Sequence, residues 1–124
     1  MGRIVLRATA FNRGLKGPGS WEKEMWKVWD EGSWYREIVY VPVERTVPSI
    51  RTGKLTEADF VELKKEMRNP WPLERVDCRD GVAWRFTTYN EIGAQDQFRL
   101  EGYVYGMEPF ESIIRILEKQ VGEG

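Results

Sequence analysis

The chain has 124 residues, 41% of them hydrophobic and 31% charged, which is the size of one domain. It contains no histidine and one cysteine, and this excludes serine-histidine and cysteine-histidine catalysis, internal disulfides and most zinc or non-haem iron sites. Nineteen basic and twenty acidic residues give a net charge of -1, so no overall field draws the chain to nucleic acid or to an anionic membrane. We expect a single domain over residues 1–124 with no metal or other cofactor.

The first predicted element is a strand over residues 4–11, because Ile4, Leu6, Ala8 and Ala10 alternate with the residues between them. Residues 12–20 contain three glycines and a proline, and this composition predicts an irregular loop. Long loops of this kind are frequent binding sites.

A hairpin is predicted next. Its strands would span residues 23–29 and 33–43, joined by Asp30-Glu31-Gly32, in which the glycine can supply a positive φ. A short helix over residues 21–29 is the alternative, because Trp21, Met25 and Val28 also fall at helical spacing. Pro42 and Pro48 make residues 43–52 either a connection or an edge strand.

Thr56 is a good N-cap for a helix over residues 56–68, which Asn69-Pro70-Trp71-Pro72 ends abruptly. Asp80-Gly81 then predicts a second hairpin between residues 74–79 and 82–89. A turn over residues 93–97, a strand over residues 98–105 and an amphipathic helix after Pro109 complete the chain. This order predicts an α+β fold: one antiparallel sheet of about five or six strands, with two helices packed on one face.

Strand alternation predicts which side chains of the later strands leave the core. If Val82, Trp84, Phe86, Phe98, Leu100 and Val104 point inward, the outward set is Arg85, Thr87, Tyr89, Arg99, Glu101, Tyr103 and Tyr105. Tyr and Arg are enriched at the energetic centres of protein interfaces. Ordinary cross-strand pairing on a solvated sheet explains the same composition.

The chain has six tryptophans, four of them between positions 21 and 34. Trp26 and Trp29 would lie on opposite faces of their strand, so at least one tryptophan is expected to leave the core. Exposed indoles can stack on sugar rings or anchor a partner, whereas an aromatic core is the simpler explanation.

Two chemical motifs are weak. Glu74, Asp77 and Asp80 lie close together, as a carboxylate pair for hydrolysis would, but turn chemistry and a solvated strand edge explain them. The Gly14–Ser20 segment lacks the lysine position of a phosphate-binding loop. No constellation predicts an enzyme.

The N-terminal residues show no signal peptide, and no apolar run approaches the ~20 residues of a membrane span. We therefore expect a cytoplasmic protein that contacts neither membrane nor nucleic acid.

The chain resembles the emfourins, small bacterial inhibitors of thermolysin-like metalloproteinases. Their opening strand and R-[ST]-G-G-F-x-G-[IL] turn are approximated by Arg7, Phe11, Gly14 and Leu15, without the double glycine and with one inserted residue. Three later segments also resemble parts of the emfourins: the leucine-led helix over residues 55–67, the D-x-F strand at Asp96-Gln97-Phe98, and the closing helix after Pro109. The resemblance implies a non-catalytic domain that binds a protein.

The sequence thus predicts a protein-binding module, with an inhibitor or antagonist as one form, that uses the 12–21 loop or the outward Arg/Tyr face. A tryptophan-lined domain for a small ligand or glycan is the alternative. The candidate partner-binding residues are Phe11, Arg13, Lys16, Trp21, Arg85, Arg99, Tyr103 and Tyr105.

Overall fold

The computed structural model describes residues 2–12, 14, 17–42, 47–68, 82–89, 95–102 and 108–122, and of residues 95–102 the backbone alone. The elements in this part of the chain are β1 (Ile4–Asn12), β2 (Trp21–Trp29), β3 (Ser33–Tyr40), β4 (Ser49–Lys54), α1 (Glu57–Arg68), β5 (Val82–Tyr89), β6 (Gln95–Gly102) and α2 (Phe110–Val121). The strands form one antiparallel sheet in the order β4-β3-β2-β1-β5-β6. The predicted α+β class is confirmed.

Strands β1 to β4 form a meander, and β5, the next described strand after α1, pairs with β1. The predicted hairpin at Asp30-Glu31-Gly32 is confirmed: Gly32 has a φ of 95° and donates its N–H to the Trp29 carbonyl. Residues 21–29 are a strand and not the alternative helix, because pairing with β1 and β3 satisfies their backbone groups.

Of the two alternatives predicted for residues 43–52, a connection or an edge strand, the structure has an edge strand, β4. It pairs only with β3 among the described strands, and most of its residues are exposed. Trp34 of β3 lies against Gly53, where an added Cβ would come within 2.5 Å of the indole. The absence of a side chain at Gly53 therefore lets the edge strand pack closely over a buried tryptophan.

The core lies between one face of the sheet and the two helices. The sheet supplies Leu6, Ala8, Ala10, Trp26, Val28, Trp34, Trp84 and Phe86, and α2 supplies Phe110, Ile113, Ile114 and Leu117. Leu63 is the buried residue of α1. Ring contacts cross the layers, with 5.4 Å between the centroids of Trp26 and Trp34 and 4.9 Å between those of Phe86 and Phe110. Both helices pack on one face of the sheet, as predicted.

The helices begin close to where the sequence places them. The Thr56 hydroxyl accepts the N–H of Asp59 at 3.1 Å, which caps α1, and α2 begins at Phe110 directly after Pro109. Ser112 donates both its N–H and its hydroxyl to the Glu108 carboxylate at the start of α2. No helix in the described residues is long and apolar enough to cross a membrane.

The prediction for the sixth strand was wrong about where the strand begins. Strand β6 (Gln95–Gly102) begins before residue 98, so residues 95–97 are strand and not turn, whereas residues 103–105 lie outside the described residues. Gln95 pairs with Tyr89 and Gln97 with Thr88, so partnership with β5 outweighs their turn-like polar composition. The predicted strand at residues 74–79 lies outside the described residues.

Candidate functional site on the helix-free face of the sheet

The sheet has a second face that neither helix covers, which we call the open face. Since Leu6, Ala8 and Ala10 of β1 point into the core, the residues between them, Arg7 and Thr9, point the other way. The cross-strand register extends this face over the neighbouring strands. The charged and aromatic members among the described side chains include Arg7, Phe11, Lys23, Lys27, Tyr35, Glu37, Arg85 and Tyr89.

Cations and aromatic rings are interleaved on the open face. The Lys27 ammonium lies 5.5 Å from the centre of the Tyr35 ring, the Arg7 guanidinium 6.0 Å from that of Tyr89, and the Arg85 guanidinium 5.6 Å from that of Phe11. Attraction to a ring restricts the conformations that a long cationic side chain adopts. The charged groups are therefore held over the sheet instead of extending freely into solvent.

Glu37 is the described carboxylate of this face, and it is engaged within the face. The Tyr35 hydroxyl donates a hydrogen bond to its Oε1 at 2.7 Å. Hydrogen bonding to the carboxylate, with burial second, raises the pKa of Tyr35, so the phenol keeps its proton at neutral pH. Glu37 therefore uses part of its acceptor capacity on Tyr35 rather than on a lysine or arginine.

Two of the predicted partner-binding residues, Phe11 and Arg85, lie together on the open face. Arg85 is exposed and Phe11 half-buried. Phe11 is the outward residue near the end of β1, and Arg85 pairs in register with Thr9 of the same strand. The prediction that Arg85 points away from the core is confirmed, although Thr87 on the same face is buried, with 8% exposure.

Trp21, another predicted partner-binding residue, is partly buried and packs against the core. Trp21 pairs with Tyr40 and Lys23 with Val39, so β2 contains one more residue than β3 over this step. This register shift reverses the alternation and turns Trp21 towards the side of Trp26. Trp21 is therefore half-buried at the end of the loop, and its partner-binding role stays a prediction.

Strand β6 also has a register that differs from simple alternation. Glu101 pairs with Arg85 but Arg99 pairs with Phe86, so β6 has one additional residue between these positions. In this register Arg99 is paired with Phe86 and Phe98 with Thr87, and the partner-binding role of Arg99 stays a prediction. Arg13, Lys16, Tyr103 and Tyr105 lie outside the described residues, and their partner-binding role stays a prediction.

The described ends of the 12–21 loop are held by hydrogen bonds. The Asn12 side chain donates to the Trp21 carbonyl at 2.9 Å and accepts the N–H of Gly14 at 3.0 Å. Val41 accepts the N–H of Gly19 and donates to the Ser20 carbonyl, which ties the loop to the end of β3. Gly19 has a φ of 84°, a conformation that favours glycine.

None of the described tryptophans is exposed. Trp26, Trp34 and Trp84 are buried in the core, and Trp29 is half-buried. The alternative of an indole platform for a glycan therefore gains no support from these positions. Trp84 was correctly predicted as a core residue.

A polar cluster lies on the helix-covered side, beyond the core. Glu24 accepts the indole N–H of Trp26 at 2.8 Å and lies 4.0 Å from the Arg36 guanidinium. Burial, and secondly the charge of Glu24, raises the pKa of Glu118 on α2. These contacts satisfy a buried indole, and the cluster is structural.

Within the described residues, no group of three histidine, cysteine, aspartate or glutamate side chains could hold a metal ion.

The strand pattern of the sequence alone did not identify Arg7, Lys23, Lys27 and Tyr35 as one surface. The alternation of β1 contained part of the signal, because it placed Arg7 opposite to Leu6 and Ala8. The pairing of β1 with β2 across the 12–20 loop places the other three residues on the same face.

Neither the protein-family models nor the curated proteins give a match to this sequence.

Proposed function

We propose that this chain is a non-catalytic protein-binding module and that it contacts its partner through the open face. One observation carries the proposal: cations and aromatic rings are concentrated on a sheet face that neither helix covers. Arg and Tyr are over-represented among the residues that dominate interface energies. A rigid antiparallel sheet holds them in fixed positions.

The interleaved rings support binding in a second way. Ordering a long, flexible side chain at an interface costs about 0.5–1.5 kcal/mol. Lys27, Arg7 and Arg85 each lie over a ring, so part of this ordering is present before a partner arrives. Such preorganisation lowers the entropic cost of binding and so favours a specific complex at this surface.

Covalent capture at defined positions tests the proposal. A photo-crosslinking amino acid is placed at Thr52, which is exposed and pairs in register with Tyr35 on the open face. The matched control carries it at Glu62, an exposed position of α1. In a lysate of the host, we expect one protein to be captured from position 52, with capture suppressed by Arg85→Ala, and none from position 62. Equal capture from both positions, or none from position 52, would overturn the proposal.

Antagonism of a metalloproteinase is the form of this function that the resemblance to emfourins suggests. Its test adds the chain in excess to a thermolysin-like metalloproteinase and follows cleavage of a peptide substrate. Inhibition that weakens about fivefold or more with Arg85→Ala, as for an interface hot spot, would support this form. Full proteinase activity in the presence of the chain would reject a proteinase as the partner.

A further inference from the structure

Two cations of the open face are placed directly opposite each other. Arg7 of β1 pairs in register with Lys27 of β2, and both strands are interior to the sheet. Like charges at directly opposed positions destabilise a sheet. Among the residues that the structure describes, neither side chain has a carboxylate partner, whereas Arg36, Arg115 and Lys119 each have one.

The uncompensated charge extends along β2. Lys23 lies on the same face, opposite Phe11, and it too lacks a carboxylate partner in the described part of the chain. Four residues of strand separate Lys23 from Lys27, a distance of about 13 Å. The contacts with Tyr89 and Tyr35 are attractive, but they supply no negative charge to Arg7 and Lys27, whereas a glutamate at position 27 would pair with Arg7.

A sequence that breaks a local rule on an otherwise consistent fold does so most often for function. The chain as a whole has a net charge of -1, so the residues other than Arg7, Lys23 and Lys27 together carry a net charge of -4 (-1 - 3). We infer that the partner is a protein that presents a cluster of carboxylates, which supply the counter-charges that Arg7, Lys23 and Lys27 lack. The inference rests on the proposed function and names its partner class.

A protein fits the open face better than a single-stranded nucleic acid. Nucleobases bind such sheets by stacking on aromatic rings. Here a cation lies over the rings of Tyr35, Tyr89 and Phe11, where a base would stack. The acidic balance of the whole chain opposes a long polyanion, whereas a compact group of carboxylates contacts this face alone.

Defined probes test the inference. A labelled peptide of about eight residues, which alternates glutamate with tyrosine and spans Lys23 to Lys27, is compared with its glutamine counterpart and with oligothymidine. Fluorescence anisotropy is measured at about 50 mM and about 300 mM salt, since screening weakens exposed ion pairs. We expect the acidic peptide to bind about tenfold or more tightly than the glutamine peptide, and less tightly at the higher salt.

Substitutions then place the binding on the open face. Lys27→Glu is expected to weaken acidic-peptide binding about tenfold or more, while Lys27→Arg and the α1 control Lys64→Glu stay within about threefold of the unmodified chain. The unfolding midpoint of Lys27→Glu should equal or exceed that of the unmodified chain, because an opposite-charge pair replaces a like-charge pair. Lost binding then does not reflect lost folding.

Each contrary result overturns the inference. These are equal binding of the acidic and glutamine peptides, tighter binding of oligothymidine, or a loss with Lys64→Glu as large as with Lys27→Glu. A partner captured from position 52 whose binding is insensitive to Lys27→Glu would overturn the acidic partner and leave the proposed function standing. Failure of capture from position 52 would overturn both.

Discussion

Gly53 occupies a position at which the packing leaves no room for a side chain. An added Cβ would lie 2.5 Å from Cζ2 and 2.9 Å from Nε1 of Trp34, an indole that is buried against Trp26. Gly53→Ala must therefore displace either the indole or the edge strand. We expect the free energy of unfolding to fall by about 1–3 kcal/mol, as for other overpacked sites, measured by urea denaturation.

Gly17→Ala is the matched control, because a Cβ at Gly17 meets no atom within 4 Å. Its effect should stay within about 0.5 kcal/mol. If the two substitutions have equal effects, the close approach of Trp34 to Gly53 does not limit the packing of β4.

Single residues also show where prediction from the sequence succeeded and where it failed. Trp84 and Phe86 were placed in the core correctly, because β5 alternates without interruption over both positions. Trp21 lies beside a register shift of one residue, which exchanges the two faces of a strand. Such a shift depends on pairing with another strand, and the alternation of one strand does not contain it.

At the scale of elements, one carboxylate forms hydrogen bonds between the two helices. Asp59 of α1 accepts hydrogen bonds from Lys119 at 3.0 Å and from Gln120 at 3.2 Å, both on α2. These hydrogen bonds, the one from Lys119 first, hold the pKa of Asp59 below its ordinary value of 3.8. The ionised carboxylate therefore stabilises the folded chain at neutral pH.

The sign of the pH dependence follows from the lowered pKa. The stabilisation is complete above the ordinary carboxyl pKa and is lost as the pH falls through the lower pKa of the folded state. We expect Asp59→Asn to reduce the free energy of unfolding at pH 7 and to have a diminishing effect as acid is added. Urea titrations at a series of pH values measure this difference. In a Lys119→Ala background the effect of Asp59→Asn should be smaller, and an unchanged effect would contradict the ion pair.

The amphipathic pattern of α2 provides a second test at this scale. Leu117 is fully buried, whereas Arg115 is exposed and its contact is with Glu111 one turn earlier. Leu117→Ala should lower the free energy of unfolding by about 2–5 kcal/mol, because it leaves a cavity under the helix. Arg115→Ala should change it by about 0.5 kcal/mol or less, since exposed ion pairs contribute little. Similar effects of the two substitutions would show that α2 does not pack as described.

Local signals explain which elements were predictable. The helices are predictable from their caps and periodicity, and the 30–32 hairpin from its glycine. Each of these signals is contained within a short stretch of the sequence. The pairing of β1 with β5 joins residues more than seventy positions apart, and it creates the surface on which Phe11 meets Arg85. The sequence predicted both residues as candidates but could not predict that they are neighbours.

At the scale of the whole molecule, the net charge conceals how the charges are arranged. A value of -1 argues against a general affinity for polyanions, yet it says nothing about one face of the sheet. Arg7 and Lys27 are twenty residues apart in the chain and become neighbours only because β1 and β2 pair. The pairing of these two interior strands therefore places side by side two cations that are distant in the sequence.

One contiguous core predicts one unfolding transition. Residues from four strands and both helices belong to the same buried cluster, and Trp26, Trp34 and Trp84 lie within it. Tryptophan fluorescence and far-UV circular dichroism should therefore give the same midpoint in urea, because the indoles and the helices lose their packing together. Leu117→Ala should lower both midpoints equally. A helical signal that is lost before the fluorescence changes would mean that the helices and the sheet are separate cooperative units, and the single domain expected over residues 1–124 would be wrong.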